Sequence, residues 1–436
     1  MNFNLAGIAM AFLLPIGVMM SAWGGLPPAQ SRRAASVSLL ALAMSIIAYT
    51  AAGFAFQFGG IWHATQLDTF RSLDQFWSVP DPTGGVWSVV GLSGWMLTGQ
   101  LGPEALVLFL HQLPLIMIAA MIPMLALAGR AHYLILAFIG LIVALVISPL
   151  AGHWVWGGGW LADLGTNLRL GHGYVDMAGA GAVYLVGGLL ALLGLVTFPA
   201  RVSSDPTPRL PEAHGPLLAV AGGVCFGLGW MAWMAIAPLY PARASLNLSL
   251  AITNGLLAAS AATLVSQLFS WFASSRVEPL MAVRGWMAGW VAASAMAPFV
   301  GAGAALVTGV LVGLLVPLVM YAADRLLHLD DATATVSVYG VPGLWGALAV
   351  GLLADGRWGA GWNHVGAQEY LLVAGQGVTG LLAAPGYASD SGQLTAQLAG
   401  VGAIMFWTLV VGGAVMAITH LAVSAWHRGT TASREG

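Results

Sequence analysis

Long apolar runs separated by short polar segments occupy most of this chain of 436 residues. Eleven of these runs reach about 20 residues, the length that an α-helix needs to cross a hydrocarbon core of about 30 Å. They lie at about 5–25, 34–58, 105–129, 132–152, 174–198, 214–238, 246–272, 281–298, 301–323, 333–353 and 397–427. The pattern therefore predicts an all-α membrane protein with eleven transmembrane helices.

A short segment of the first half returns, slightly altered, in the second half. The sequence AVYLVGGL around Tyr184 corresponds to SVYGVPGL around Tyr339, and each tyrosine lies eight residues after an aspartate, Asp176 or Asp331. Similarly placed segments in two halves of a membrane protein are typical of an inverted repeat, whose substrate path usually follows the repeat interface near the bilayer midplane. We therefore expect a tyrosine from each half to meet at the centre.

These patterns together predict a single membrane domain over residues 1–436. It would consist of two inverted five-helix repeats, at about 5–198 and about 214–353, followed by a final span at about 397–427. Two long segments between spans, at about 59–104 and 354–396, are rich in Gly, Pro, Trp and Asp. We expect them to form an extracellular cap.

The distribution of arginine predicts the orientation in the membrane. The chain contains no lysine, and with the N-terminus outside, ten arginines fall on the inner side while only Arg71, Arg169, Arg243 and Arg357 fall on the outer side. Because basic residues concentrate in cytoplasmic loops, this bias predicts an N-out, C-in topology.

Composition agrees with a membrane class. Only 7% of the residues are charged and 59% are apolar, against about 25% and about 45–50% in soluble domains. A net charge of −2 gives no indication of a nucleic-acid partner. The single Cys225 lies in an apolar run and is interpreted as a packing residue.

Motifs for catalysis, metals and cofactors are weak or missing. Without lysine the chain cannot contain a Gly-Lys phosphate loop, and none of its ten histidines forms an i, i+4 pair. The Gly-Leu-Ser-Gly sequence that ends at Gly94 resembles a protease motif, but no histidine is placed to serve as its base. We therefore expect no enzyme activity, no cofactor and no metal site.

Several motifs in order resemble the ammonium transporters of the Amt/Mep/Rh superfamily. The segment HWVWGGGWL from His153, followed by DMAG from Asp176, resembles the Trp-Gly-Gly-Gly and Asp-Phe-Ala-Gly-Gly signatures of that family. The sequence GWMAW from Gly229 is similar to the Gly-Trp-Phe-Gly-Phe of its sixth span, and the stretch from Asp330 to Gly346 matches its tenth span in spacing. The resemblance extends over nearly the whole chain.

The resemblance implies a function and an assembly. Family members conduct ammonium, or ammonia plus a proton, through one narrow hydrophobic pore in each subunit of a homotrimer. It also implies a multi-pass protein of the prokaryotic cell (inner) membrane whose direct surroundings are the lipid bilayer. Control by a cytosolic regulator is not expected, because the chain continues for only about nine residues after His427.

Two candidate site residues keep the identity that the family resemblance implies. Trp156 matches the tryptophan of the outer vestibule, whose ring can attract a cation through its π face; the alternative is an ordinary aromatic at the membrane interface. Asp176 matches a buried aspartate that orders backbone near the pore. It could equally act only as a cap at the start of the following helix.

The remaining candidate residues depart from the family. Tyr184 and Tyr339 occupy the positions of two pore histidines, and a phenol with a pKa of about 10 cannot exchange protons near neutrality as imidazole does. The external serine position holds Ala237, and the paired phenylalanine gate becomes Leu115 and Trp233. If the tyrosines face one another, their hydroxyls are expected to lie about 2.5–3.0 Å apart or to share one water.

The sequence thus predicts an ammonium-transporter-like channel or transporter with a divergent pore and without a histidine proton relay. Two alternatives stay open. One is a non-conducting sensor or scaffold that retains the fold, and the other is a channel for another small neutral solute such as carbon dioxide.

Overall fold

The computed structural model describes residues 5–82, 84–99, 101–198, 212–236 and 246–435, with side chains up to residue 422. The architecture is helical, as predicted. The helices are α1 (Leu5–Ala11), α2 (Leu13–Gly25), α3 (Pro28–Ala48), α4 (Phe54–Phe58), α5 (Ile61–Thr65), α6 (Pro103–Ala126), α7 (Tyr133–Ile142), α8 (Ser148–Trp156), α9 (Leu164–Leu168), α10 (Val186–Thr197), α11 (Pro216–Ile236), α12 (Leu248–Ser274), α13 (Pro279–Met296), α14 (Ala302–Tyr321), α15 (Val341–Leu353) and α16 (Ser391–Glu435).

Wider π-helical turns continue several of these helices. They lie at Tyr49–Gly53, Val143–Ile147, Ala180–Leu185, Ala322–Leu326 and Val336–Gly340. The third and fifth of these turns begin the segments that contain Tyr184 and Tyr339. Single π-helical turns are rare and are often found at functional sites.

Within the described residues, ten continuous helical segments are long and apolar enough to cross a membrane. They correspond to ten of the eleven apolar runs. The remaining run forms α13, an 18-residue helix that is not among the ten. Nearly all its residues are buried, and it packs against α11, α12, α14 and α15. The count of eleven spans and the N-out, C-in topology therefore stay predictions.

Helices α2 and α11, the first long helices of the two predicted repeats, touch through their backbones. A Cβ atom added at Gly17 would lie 2.5 Å from the Phe226 amide nitrogen, and one added at Gly229 would lie 2.3 Å from that of Leu14. Such distances leave no room for a side chain. This contact, which we call the glycine seam, joins the two halves; the repeat boundaries themselves stay predictions.

The described residues of the two long segments between spans are mostly irregular and form two small hairpins. Strands β1 (Phe76–Val79) and β2 (Trp87–Gly91) pair antiparallel in the first segment, and β3 (Glu369–Tyr370) and β4 (Val373–Ala374) pair in the second. Trp154 of α8 fastens the first hairpin by donating its indole N–H to the Val89 carbonyl at 2.9 Å. Their extracellular location stays a prediction.

The last helix, α16, connects the two halves through glutamine side chains. The Gln397 amide donates to the carbonyls of Val175 and Ala347, one from each predicted repeat. The Gln393 amide donates to the Gly173 carbonyl at 2.8 Å. These bonds fix the loop that leads into the first tyrosine segment.

Candidate functional site

Asp176 organises the start of the helical segment that contains Tyr184. Its carboxylate is fully buried and accepts four backbone N–H groups, from Gly179, Ala180, Gly181 and Ala182, at 2.8–3.0 Å. The first N–H groups of a helix have no partner within the helix, and a carboxylate there satisfies them and interacts favourably with the helix dipole. The aspartate thus orders the backbone that precedes the first tyrosine.

Asp331 has a similar position before Tyr339. Its carboxylate accepts the backbone N–H groups of Thr335 and Val336 and the Thr335 hydroxyl, each at 2.9 Å. The eight-residue spacing noted in the sequence therefore reflects two similar helix starts, each with an aspartate anchor and a tyrosine in the following π-helical turn.

The two tyrosine segments cross closely enough for the rings to stack. A Cβ atom added at Gly188 would lie 2.3 Å from the Gly340 Cα atom, and one added at Gly343 would lie 2.5 Å from the Ala180 carbonyl oxygen. At this crossing the Tyr184 and Tyr339 rings are nearly parallel, with centroids 6.3 Å apart and planes 9° apart. Both side chains are buried.

The tyrosine hydroxyls do not bond directly to each other, so the shared water is the predicted alternative that stays a prediction. The Tyr184 hydroxyl is buried and makes no hydrogen bond of normal geometry within the described residues. The two hydroxyls have different polar neighbours, Ser294 beside Tyr184 and Ser21 beside Tyr339. The Ser294 hydroxyl already donates to the Trp290 carbonyl, at 2.9 Å. Each hydroxyl has its own serine neighbour on a different helix, which accounts for the absence of a direct bond between them.

Trp156, at the end of α8, is attached to the first anchor. Its indole N–H donates to the Asp176 carbonyl oxygen at 2.7 Å, and its ring lies 3.4 Å from the point where a Gly179 Cβ would be. The side chain is buried. Its N–H is thus already bonded to the protein, and an interaction with a cation would have to use the ring face. That role stays a prediction.

Trp233, one of the two residues at the predicted gate positions, has a ring partner on α6. Trp233 stacks on His111, with centroids 4.3 Å apart and planes 22° apart. The Trp233 indole N–H donates to the His111 carbonyl at 2.8 Å, and the His111 Nε2 atom lies 3.2 Å from the Trp233 carbonyl oxygen. Leu115 is buried one turn further along α6.

The sequence analysis therefore missed His111 as the ring that stacks on Trp233. Its position four residues before Leu115, on the same helix face, is the sequence signal that could have indicated it. Ala237, the residue at the external serine position, lies outside the described residues.

A small cavity of about 30 Å³ adjoins Tyr339, enough for about two water molecules. An open cleft of about 860 Å³ shares part of its lining with this cavity. The charged residues of the cleft are Glu212, Arg276, Glu278, Arg284, Asp324, Arg325, Asp330 and Asp331.

Arg284 lines both the small cavity and the cleft. Sequence reasoning counted it only as an inner arginine. Its position within an apolar run was the available signal, since ionisable residues inside membrane spans usually have a function. Among the described residues, no group of three or more His, Cys, Asp and Glu could hold a metal ion.

Comparison with known proteins gives a consistent family. The model of the Ammonium Transporter Family matches residues 2–427. Ammonium transporter Amt2 of Archaeoglobus fulgidus is 28% identical over 328 residues, which cover 74% of this chain and 64% of the relative. The ammonium transporter of Bacillus subtilis is 30% identical over 219 residues, 50% of each chain. The chain thus spans less than two thirds of the length of these relatives.

Solved structures share the fold. A structure described as "Sensor Amt Protein" has a TM-score of 0.73 at 23% identity, covering 95% of this chain and 91% of its own. Mep2 of Candida albicans has a TM-score of 0.68 at 19% identity, with coverages of 98% and 85%. At these identities the similarity concerns the architecture alone.

Proposed function

Because the chain belongs to the ammonium transporter family, we propose that it is a membrane channel or transporter whose substrate is ammonia or ammonium. It is a multi-pass membrane protein of a family of transporters, which is consistent with the cell (inner) membrane and with the absence of an enzymatic role. We also propose a homotrimer in which each subunit contains its own path.

The parallel pair of Tyr184 and Tyr339 is the observation that supports the mode of transport. Each ring belongs to a π-helical turn that follows an aspartate anchor, and the two turns meet at a glycine crossing. A phenol keeps its proton at physiological pH, whereas an imidazole would exchange it. The pair therefore provides no site that accepts and returns a proton, and we assign conduction to the neutral ammonia molecule.

We propose the inverted-repeat topology together with this function. The glycine seam between α2 and α11 and the two similar aspartate anchors support a pairing of two halves about the tyrosine crossing. In this arrangement Trp156 and Asp176 lie on the outer side of the tyrosine pair, and the small cavity, Arg284 and the cleft lie on the inner side.

Flux measurements in vesicles that contain the purified protein test this assignment. With an inward gradient of an ammonium salt, entry of ammonia makes the vesicle interior alkaline, whereas entry of ammonium produces an inward current. We expect alkalinisation faster than in protein-free vesicles and no ammonium-evoked current near neutral pH. Replacing Tyr339 by Trp, which would fill the adjoining small cavity, should reduce the alkalinisation.

Other results would decide for another function. A saturable inward current that disappears in Trp156→Ala would contradict the neutral mode and indicate cation recruitment by the tryptophan. Alkalinisation no faster than in protein-free vesicles would favour the non-conducting scaffold, and a rise in carbon dioxide permeability alone would favour a channel for that gas.

A further inference from the structure

Arg284 lies in the wall between the small cavity beside Tyr339 and the charged cleft. It is the sixth residue of α13 and only 5% exposed, although it carries a guanidinium group. Among the described residues that line the two spaces, Arg284 and Ala332 are the ones that belong to both. The Arg284 Nη2 atom donates to the Ala332 carbonyl oxygen at 2.9 Å, so the two shared residues are bonded to each other.

Within the described residues, few hydrogen bonds hold the Arg284 guanidinium. Its other recorded contact is a weak one, from Nη1 to the Met320 sulfur at 3.5 Å. The carboxylate that faces it belongs to Asp331, which accepts three hydrogen bonds from Thr335 and Val336. The salt bridges of the described residues do not include Arg284. A guanidinium offers five N–H donors, so this side chain is held loosely for a buried charge.

The open cleft gives the side chain a place to move. Rotation about the flexible bonds of Arg284 would break the bond to Ala332 and carry the charge into a cleft of about 860 Å³, where water can solvate it. The same rotation would connect the small cavity with the cleft. The Ala332 carbonyl would then be hydrated as well, so that neither partner remains buried without a hydrogen bond.

We propose that the Arg284 side chain is an inner gate, closed by its bond to the Ala332 carbonyl, and that its positive charge excludes cations from the inner end of the path. This inference rests on the proposed function, which it deepens by limiting the solute at this point to neutral molecules. The physical reason is that like charges repel strongly where protein and lipid replace water.

Cysteine accessibility tests the gate without any flux measurement. In a Cys225→Ala background, Ser21→Cys places a thiol on the wall of the small cavity. Its rate of modification by methyl methanethiosulfonate, measured in detergent, reports how often the cavity opens. We expect Arg284→Ala to raise this rate about tenfold, since loss of a hydrogen bond from a charged group shifts an opening equilibrium by at least that factor.

Matched variants separate the gate from general loosening. Arg284→Lys keeps a charged donor for the Ala332 carbonyl and should stay near the parent rate. Arg325→Ala should also leave the rate of thiol modification unchanged, because Arg325 lines the cleft but not the small cavity. Ser274→Cys, an exposed thiol in the cleft, should react equally fast in all variants. Arg284→Gln, too short to reach the carbonyl but still polar, gives a second measurement if the alanine variant does not fold.

The charge is tested by current recording on the same proteins. Arg284→Gln should acquire an ammonium-evoked current that the parent and Arg284→Lys lack. Equal thiol reactivity in the parent, Arg284→Ala and Arg284→Gln would overturn the gate, and equal currents in the Gln and Lys variants would overturn the charge barrier. If Arg284 controls reactivity while the parent passes no ammonia, the gate stands and the proposed function fails.

Discussion

Two buried tyrosines of this protein differ in whether the hydroxyl has a partner. The Tyr49 hydroxyl donates to the Gln57 side-chain oxygen at 2.8 Å, whereas the Tyr184 hydroxyl has no hydrogen bond among the described residues. Replacing Tyr184 by Phe should therefore change the free energy of unfolding by less than about 0.5 kcal/mol, whereas Tyr49→Phe should cost about 1–3 kcal/mol because it leaves Gln57 unpaired. Thermal unfolding in detergent would measure both. Equal losses would mean that a water molecule bonds Tyr184.

His172 should make the stability of the folded protein depend on pH. Its ring is fully buried against Tyr370, with neither nitrogen hydrogen-bonded within the described residues. Burial lowers the pKa of His172 to about 4. The folded state then binds fewer protons than the unfolded state between about pH 6.5 and 4, so stability is lost as the pH falls through that window.

Measuring the melting temperature from pH 7 to pH 4 checks this dependence. His172→Phe should flatten the profile, and the exposed His214→Gln should not. Asp163→Asn serves as a comparison, because the pH dependence that Asp163 contributes has the opposite sign. Burial raises the pKa of Asp163 to about 7, so its contribution to stability falls as the pH rises from about 4 to 7. An unchanged acid slope in His172→Phe would contradict the assignment.

At the scale of elements, the aspartate anchors should differ in strength. Asp176 is fully buried and accepts four backbone N–H groups, while Asp331 is only partly buried and accepts two, together with a hydroxyl. An asparagine has one acceptor oxygen in place of two, so Asp176→Asn would leave buried N–H groups unpaired. We expect Asp176→Asn to lower the free energy of unfolding by more than about 3 kcal/mol, and Asp331→Asn to lower it by less. The melting temperatures of the two variants test this. Asp176→Asn should melt at a lower temperature than Asp331→Asn, and the reverse order would refute the prediction.

The sequence was a good guide to the helices and a poor one to the connections. Apolar length predicts a membrane helix because lipid demands apolar side chains along most of it. The α13 segment falls short of that standard because it contains Arg284 and two tryptophans, which its burial among other helices permits. The two hairpins and the π-helical turns depend on contacts between distant segments, and no local pattern in the chain indicated them.

For the candidate site, the sequence indicated positions but not side-chain directions. The repeated aspartate and tyrosine spacing correctly placed Tyr184 and Tyr339 against each other. The hydroxyl partners, the stacking of His111 on Trp233 and the two spaces shared by Arg284 could not be derived. Each of these contacts depends on the rotamer of a side chain. That rotamer is set by a second helix more than a hundred residues away in the sequence, or by a cavity beside the side chain.

At the scale of the whole molecule, the arginine bias makes the topology testable. Arg32, Arg201 and Arg434 are predicted to lie inside, so a tag after the C-terminus should be cytoplasmic and one inserted near Gly84 should be external. Protease or antibody access in intact and permeabilised cells distinguishes the two sides. Tags on the same side would disprove the eleven-span topology.

The glycine seam has a consequence for how such a protein can diversify. Where backbones touch without side chains, as at Gly17 and Gly229, nearly every substitution would force the two helices apart. The seam consists of backbone contacts between α2 and α11, so exchanging the rings at Tyr184 and Tyr339 removes none of those contacts. Substitutions should therefore be tolerated at the tyrosine pair long before they are tolerated at the glycine seam. A chain of this kind can acquire a new permeant solute while its scaffold stays the same.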